Sequence, residues 1–80
     1  MKLWMGNLSP GTTVDKVRQL LQKYGLPQPD RIEPVLEGTQ PAMLIEFVTD
    51  DVENLRRLIW RIEGLYWEGS HLIVTPLHFR

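Results

Sequence analysis

The sequence predicts an α+β fold in which two helices cover one face of a four-stranded antiparallel sheet. Three observations lead there. Two stretches carry apolar residues at helical spacing, four carry the alternation of strands, and their order is β-α-β-β-α-β. A proline inside the second strand, Pro34, places that strand at a sheet edge, where this order also puts it. A chain of 80 residues holds one such domain, residues 1–80, with little left over.

Leu3 opens the first strand. Leu3 and Met5 project to one side and Trp4 to the other, and Gly6-Asn7 ends the strand. Ser9-Pro10-Gly11 is a turn. Thr12 and Thr13 are both suited to cap a helix, with Thr12 and Asp15 in approximate capping-box spacing. Val14, Val17, Leu20, Leu21 and Tyr24 form the apolar stripe of that helix, and Gly25 ends it. Pro27 and Pro29 keep 26–31 a loop. Ile32 to Leu36 is the edge strand, 37–40 a hairpin-like connection, and Pro41 to Val48 the third strand. There Met43, Ile45 and Phe47 alternate with Ala42, Leu44 and Glu46. Thr49 or Asp50 caps a second helix that runs to about Glu63 on Val52, Leu55, Leu58, Ile59 and Ile62, and Gly64 stops it. Leu65 to Ser70 is a loop, and His71 to Thr75 is the last strand, ended by Pro76. Right-handed crossovers place the first and third strands centrally, which gives a ferredoxin-like arrangement.

One face of this sheet is left open. If Leu3, Met5, Met43, Ile45, Phe47, Leu72 and Val74 face the helices, the open side is centred on Trp4, Leu44 and Ile73. Ala42, Glu46, His71 and Thr75 join it, with Glu33 and Val35 from the second strand. An exposed apolar sheet face marks a binding surface.

Composition narrows the function classes. Hydrophobic content of 42% and charged content of 24% belong to a globular domain. No stretch approaches the ~20 apolar residues that span a bilayer, and no signal-peptide pattern opens the chain, so an intracellular protein with no membrane partner is expected. With no cysteine there is neither a disulfide framework nor a thiolate metal site. His71 and His78 lack a third ligand nearby, so no metal is expected. Nothing pairs a nucleophile with a base or cradles a phosphate; no enzyme activity, cofactor or small-molecule substrate is expected. A net charge of −1 argues against binding driven by phosphates alone. Asp50, Asp51 and Glu53 followed by Arg56, Arg57 and Arg61 is the charge order a helix macrodipole favours.

Residues 3–8, Leu-Trp-Met-Gly-Asn-Leu, resemble the six-residue ribonucleoprotein motif of the RNA recognition motif family: aliphatic, aromatic, aliphatic, any, Asn, Leu. Thr13 to Gly25, with its Leu-Leu-x-Lys-Tyr-Gly ending, is similar to that family's first helix. Ile62 to Val74, with Gly64, Gly69 and Leu72, resembles its passage from second helix to fourth strand. Over Gln40 to Phe47, where the family's eight-residue motif would lie, only Ile45 and Phe47 fit the inward positions. Gln40 stands for a basic residue, and Ala42 and Leu44 stand for two outward aromatics.

The resemblance implies single-stranded RNA binding on the open face, with Trp4 stacking a base. Leu44, Ala42 and Ile73 would supply apolar contact, and His71, Lys2, Arg31 and Arg80 would reach phosphates. With two of three platforms missing, at roughly 1–3 kcal/mol each, the implied affinity is micromolar or weaker. The alternative is a protein-interaction or self-association module that uses the same face, with Trp4 buried in a homodimer or under a C-terminal tail containing Phe79. Trp60 either caps the flank of the core or stands out as a protein anchor. Tyr66 and Trp67 occupy the loop where a peptide-binding subclass carries Arg-x-Phe, with Leu65 in place of the arginine.

Overall fold

In the computed structural model, which describes residues 1–37 and 40–77, Thr13 opens the first helix. Its hydroxyl accepts the Lys16 N–H at 3.2 Å, satisfying one of the donors that a helix start leaves unpaired. The helix, α1 (Val14–Lys23), buries Val17, Leu20 and Leu21. Gly25, at a φ of +80°, then turns the chain through a conformation that a side chain would strain.

The second helix, α2 (Val52–Ile59), is capped by Asp51 rather than by Thr49 or Asp50. The Asp51 carboxylate accepts the Asn54 N–H at 3.1 Å, while the Thr49 hydroxyl accepts the N–H of Asp51 itself at 3.1 Å. The α-helical turns stop at Ile59, short of the expected Glu63. Beyond it Arg61 and Ile62 donate to carbonyls three residues back, those of Leu58 and Ile59. This tighter winding still delivers Ile62 into the core, fully buried.

Six strands follow in chain order: β1 (Lys2–Gly6), β2 (Arg31–Glu37), β3 (Gln40–Glu46), β4 (Tyr66–Trp67), β5 (Ser70–His71) and β6 (Ile73–Leu77). Four of them make an antiparallel sheet in the order β2-β3-β1-β6, so β1 and β3 are central and β2, with Pro34, is at an edge. β4 and β5 form a separate hairpin. The register sets Leu3 against Ile45 and Trp4 against Leu44 on one side of β1. On the other side it sets Trp4 against Thr75 and Gly6 against Ile73.

The last strand differs from expectation: it starts at Ile73 and runs through Pro76. The Val74 N–H points away from β1, toward the Glu63 carboxylate at 2.9 Å. Pro76, two residues on, turns its nitrogen to the same outer side, so its missing N–H costs no ladder bond. His71 consequently stands on β5 and not on the main sheet.

The alternation read from the sequence holds on the helical side. Leu3, Met5, Met43, Ile45, Phe47, Leu72 and Val74 join Leu8, Leu26 and the buried stripes of both helices in one apolar cluster. Among the described residues no helix is long and apolar enough to cross a membrane.

Candidate nucleic-acid interface

The opposite face of the sheet is organised by Trp4. From central β1 its side chain rises between Leu44 of β3 and Thr75 of β6. The indole leans back along its own strand until its five-membered ring lies over Gly6. A Cβ placed on Gly6 would fall 2.8 Å from Nε1 and 3.5 Å from Cδ1 of Trp4. Gly6 is needed here for room: its φ lies outside the left-handed region occupied by Gly11, Gly25, Gly64 and Gly69.

Gly6 pairs with Ile73, which is 52% exposed, and the β1–β3 register carried one step further sets it against Ala42. Ala42 is only 3% exposed, although it stands outside the core cluster of the described residues. Its cover therefore lies on the open face, beside the indole. Alternation placed Ala42 on the correct face, but it offers a ligand no surface. Leu44 remains half-buried.

The charged end of the face is nearly neutral. Lys2, Arg31, Glu33, Leu44 and Glu46 surround a hollow of about 50 Å³. Lys2 Nζ lies 3.9 Å from Glu46 Oε2, and Arg31 Nε lies 3.3 Å from Glu33 Oε1. Such exposed pairs add about 0–1 kcal/mol to stability. Their larger effect is on a ligand, since a phosphate approaching either cation meets a carboxylate beside it. Arg80, expected to add a cation, lies outside the described residues, as do His78 and Phe79.

The hairpin of β4 and β5 occupies the span expected to be loop. Trp67 pairs with Ser70 across Glu68 and Gly69, whose φ values are +50° and +83°, as a two-residue type I′ turn requires. The usual sequence signal for that turn is Asn-Gly or Asp-Gly; Glu-Gly hides it, leaving only the glycine as a cue. Polar groups from the end of β1 hold the hairpin. Asn7 Nδ2 donates to the His71 carbonyl at 2.8 Å, the Ser9 hydroxyl donates to the Glu68 carbonyl, and the Ser9 and Ser70 hydroxyls are 3.1 Å apart. Leu65 and Trp67 pack on the core.

Trp60 stands out from the flank of the core rather than capping it. It is 76% exposed at the end of α2. With Arg56, Ile59, Glu63, Val74 and Pro76 it lines a groove of about 380 Å³ on the helical side of the β6 edge.

No family model and no curated protein matches the sequence. The structure is similar to the crystal structure of the N-terminal three RNA-binding domains of the yeast splicing factor Prp24. The TM-score is 0.72 at 24% identity, over 92% of this chain. The chain spans 31% of the length of that one. The protein has the fold of an RNA recognition motif. Trp4, which the sequence resemblance sets at that family's aromatic first-strand position, lies on β1. The two outward β3 positions matched to aromatics hold Ala42, already covered, and Leu44.

Proposed function

We propose that this protein binds single-stranded RNA on the open face of its sheet, weakly, with Trp4 stacking a base. The observation that carries this reading is the indole pressed onto Gly6 between Leu44 and Thr75. A ring already seated on a rigid central strand loses little freedom on binding, and a stacked base is worth about 1–3 kcal/mol. Ile73 and Leu44 extend the apolar floor. Lys2, Arg31 and His71 are the groups that reach phosphates. The glutamates beside Lys2 and Arg31 keep that contribution small and the affinity micromolar or weaker. An RNA partner places the protein in the nucleus or cytoplasm.

An amide-shift titration with pools of short single-stranded RNA tests this. Shifts should centre on β1, β3 and β6, and Trp4→Ala should weaken binding by about 1–3 kcal/mol. Trp60→Ala, on the helical side, should leave binding unchanged. The salt slope should be shallow, since each phosphate neutralised on a single strand adds only about 0.7 to it. Shifts confined to α2, or binding lost with Arg56, Arg57 and Arg61 but not with Trp4, would refute the sheet face as the site.

The near-neutral rim favours a second reading, in which the same face buries against a protein partner or its own copy. Sedimentation separates the two. A dimer that Leu44→Glu converts to a monomer, in a protein whose amides no RNA pool shifts at millimolar concentration, establishes the second reading.

A further inference from the structure

The β4–β5 hairpin continues the open face beyond β6 and ends it with an exposed aromatic ring. Along this stretch Leu65 and Trp67 pack on the core, and Leu72 is fully buried. The residues alternating with them therefore turn to the opposite side: Tyr66, 65% exposed, then His71 and Ile73. Ile73 is the neighbour of Gly6, under the Trp4 indole. His71 is two residues from Ile73, about 7 Å along an extended chain, and Tyr66 is paired with His71 across the hairpin.

The tyrosine ring is exposed yet held. Its centroid is 5.0 Å from that of His71, with the ring planes at 64°. His71 is fixed in turn by its Nδ1, 3.2 Å from the Gly64 carbonyl, to which the Nδ1–H tautomer donates. The Asn7 side chain grips the His71 carbonyl, and Ser9 the turn. An aromatic side chain ordered this way presents a stacking surface without the ordering cost of a free rotor.

Resting on the reading of the open face as an RNA site, we propose that Tyr66, braced by His71, is a second stacking platform. It takes another base of the strand whose first base lies on Trp4. The interface has moved off β3, where Ala42 and Leu44 offer no ring, toward β6 and the hairpin. A base-stacking role predicts that any aromatic ring at position 66 suffices, because every base has a π-face. A purely cross-strand role would be met by any apolar side chain in contact with His71.

The test is fluorescence anisotropy with labelled random-sequence RNA decamers, on the wild type, Tyr66→Phe, Tyr66→Leu and Trp4→Ala. Tyr66→Leu should bind about fivefold to 150-fold more weakly, and Tyr66→Phe within twofold of the wild type. Tyr66→Leu retains an apolar partner for His71, and unchanged amide shifts across α1 and β3 confirm that the fold is intact. If Trp4→Ala weakens binding while Tyr66→Leu does not, this inference falls and the RNA site on the sheet stands. If neither variant changes binding, or the wild type binds no decamer, both fall. Binding lost equally in Tyr66→Phe and Tyr66→Leu assigns the phenolic hydroxyl and overturns stacking.

Discussion

Replacing Gly6 with alanine separates the position of the Trp4 ring from its presence. The new methyl would sit 2.8 Å from Nε1, well inside the carbon contact distance of about 3.5–4.0 Å, so the indole must swing away from its seat. A side chain forced about 30° off its rotamer costs roughly 0.5–1.5 kcal/mol. Against that, alanine gains about 0.4–1 kcal/mol over glycine where the backbone conformation suits it. The two nearly cancel. The denaturation midpoint of Gly6→Ala should therefore correspond to a stability within about 1 kcal/mol of the wild type. The Trp4 Nε1–H resonance, assigned with Trp4→Phe, should shift, and RNA affinity should fall by much of the stacking contribution of about 1–3 kcal/mol. An unmoved Nε1–H resonance would refute the packing argument. A moved resonance with unchanged RNA affinity would show that the ring's seat on the strand is irrelevant to binding.

Two further substitutions test the supports of the site. Glu63→Ala removes the carboxylate that accepts the Val74 N–H at 2.9 Å; a loss of about 1 kcal/mol in chemical denaturation is expected, with a shift of the Val74 amide resonance. Asn7→Ala removes the 2.8 Å bond to the His71 carbonyl from a residue at a φ of +59°. It should cost about 1–2 kcal/mol through the backbone alone, and hydrogen exchange should accelerate at Ser70 and His71 while Leu20 and Leu21 stay protected.

The helical side of this fold was legible because alternation and helical stripes report burial directly. Leu3, Met5, Met43, Ile45 and Val74 are where their spacing put them. Pro34 announced an edge, and β2 is one. Pro76 misled for an instructive reason: a proline ends a strand only if its nitrogen must face a partner, and direction is a tertiary fact. The hairpin was hidden by a Glu-Gly turn without the usual asparagine or aspartate, which moved His71 off the main sheet. On the open face, spacing located Trp4, Leu44 and Ile73. It gave no sign that Trp4 would lie down over Gly6, because side-chain direction along a strand is set by which neighbour leaves space. Nothing in the residue type of Ala42 could reveal its burial on that face.

The prolines of β2 and β6 have a consequence for how molecules of this protein meet. Each outer strand has a residue without an N–H, Pro34 on one and Pro76 on the other. On β6 the preceding outward donor, that of Val74, is already engaged by Glu63. A neighbouring molecule seeking to extend the sheet sideways thus finds an interrupted row of donors on both borders. Sideways growth, the usual route from a small open sheet to fibrous aggregates, starts at a disadvantage here, and crowded molecules are left to meet through their broad surfaces.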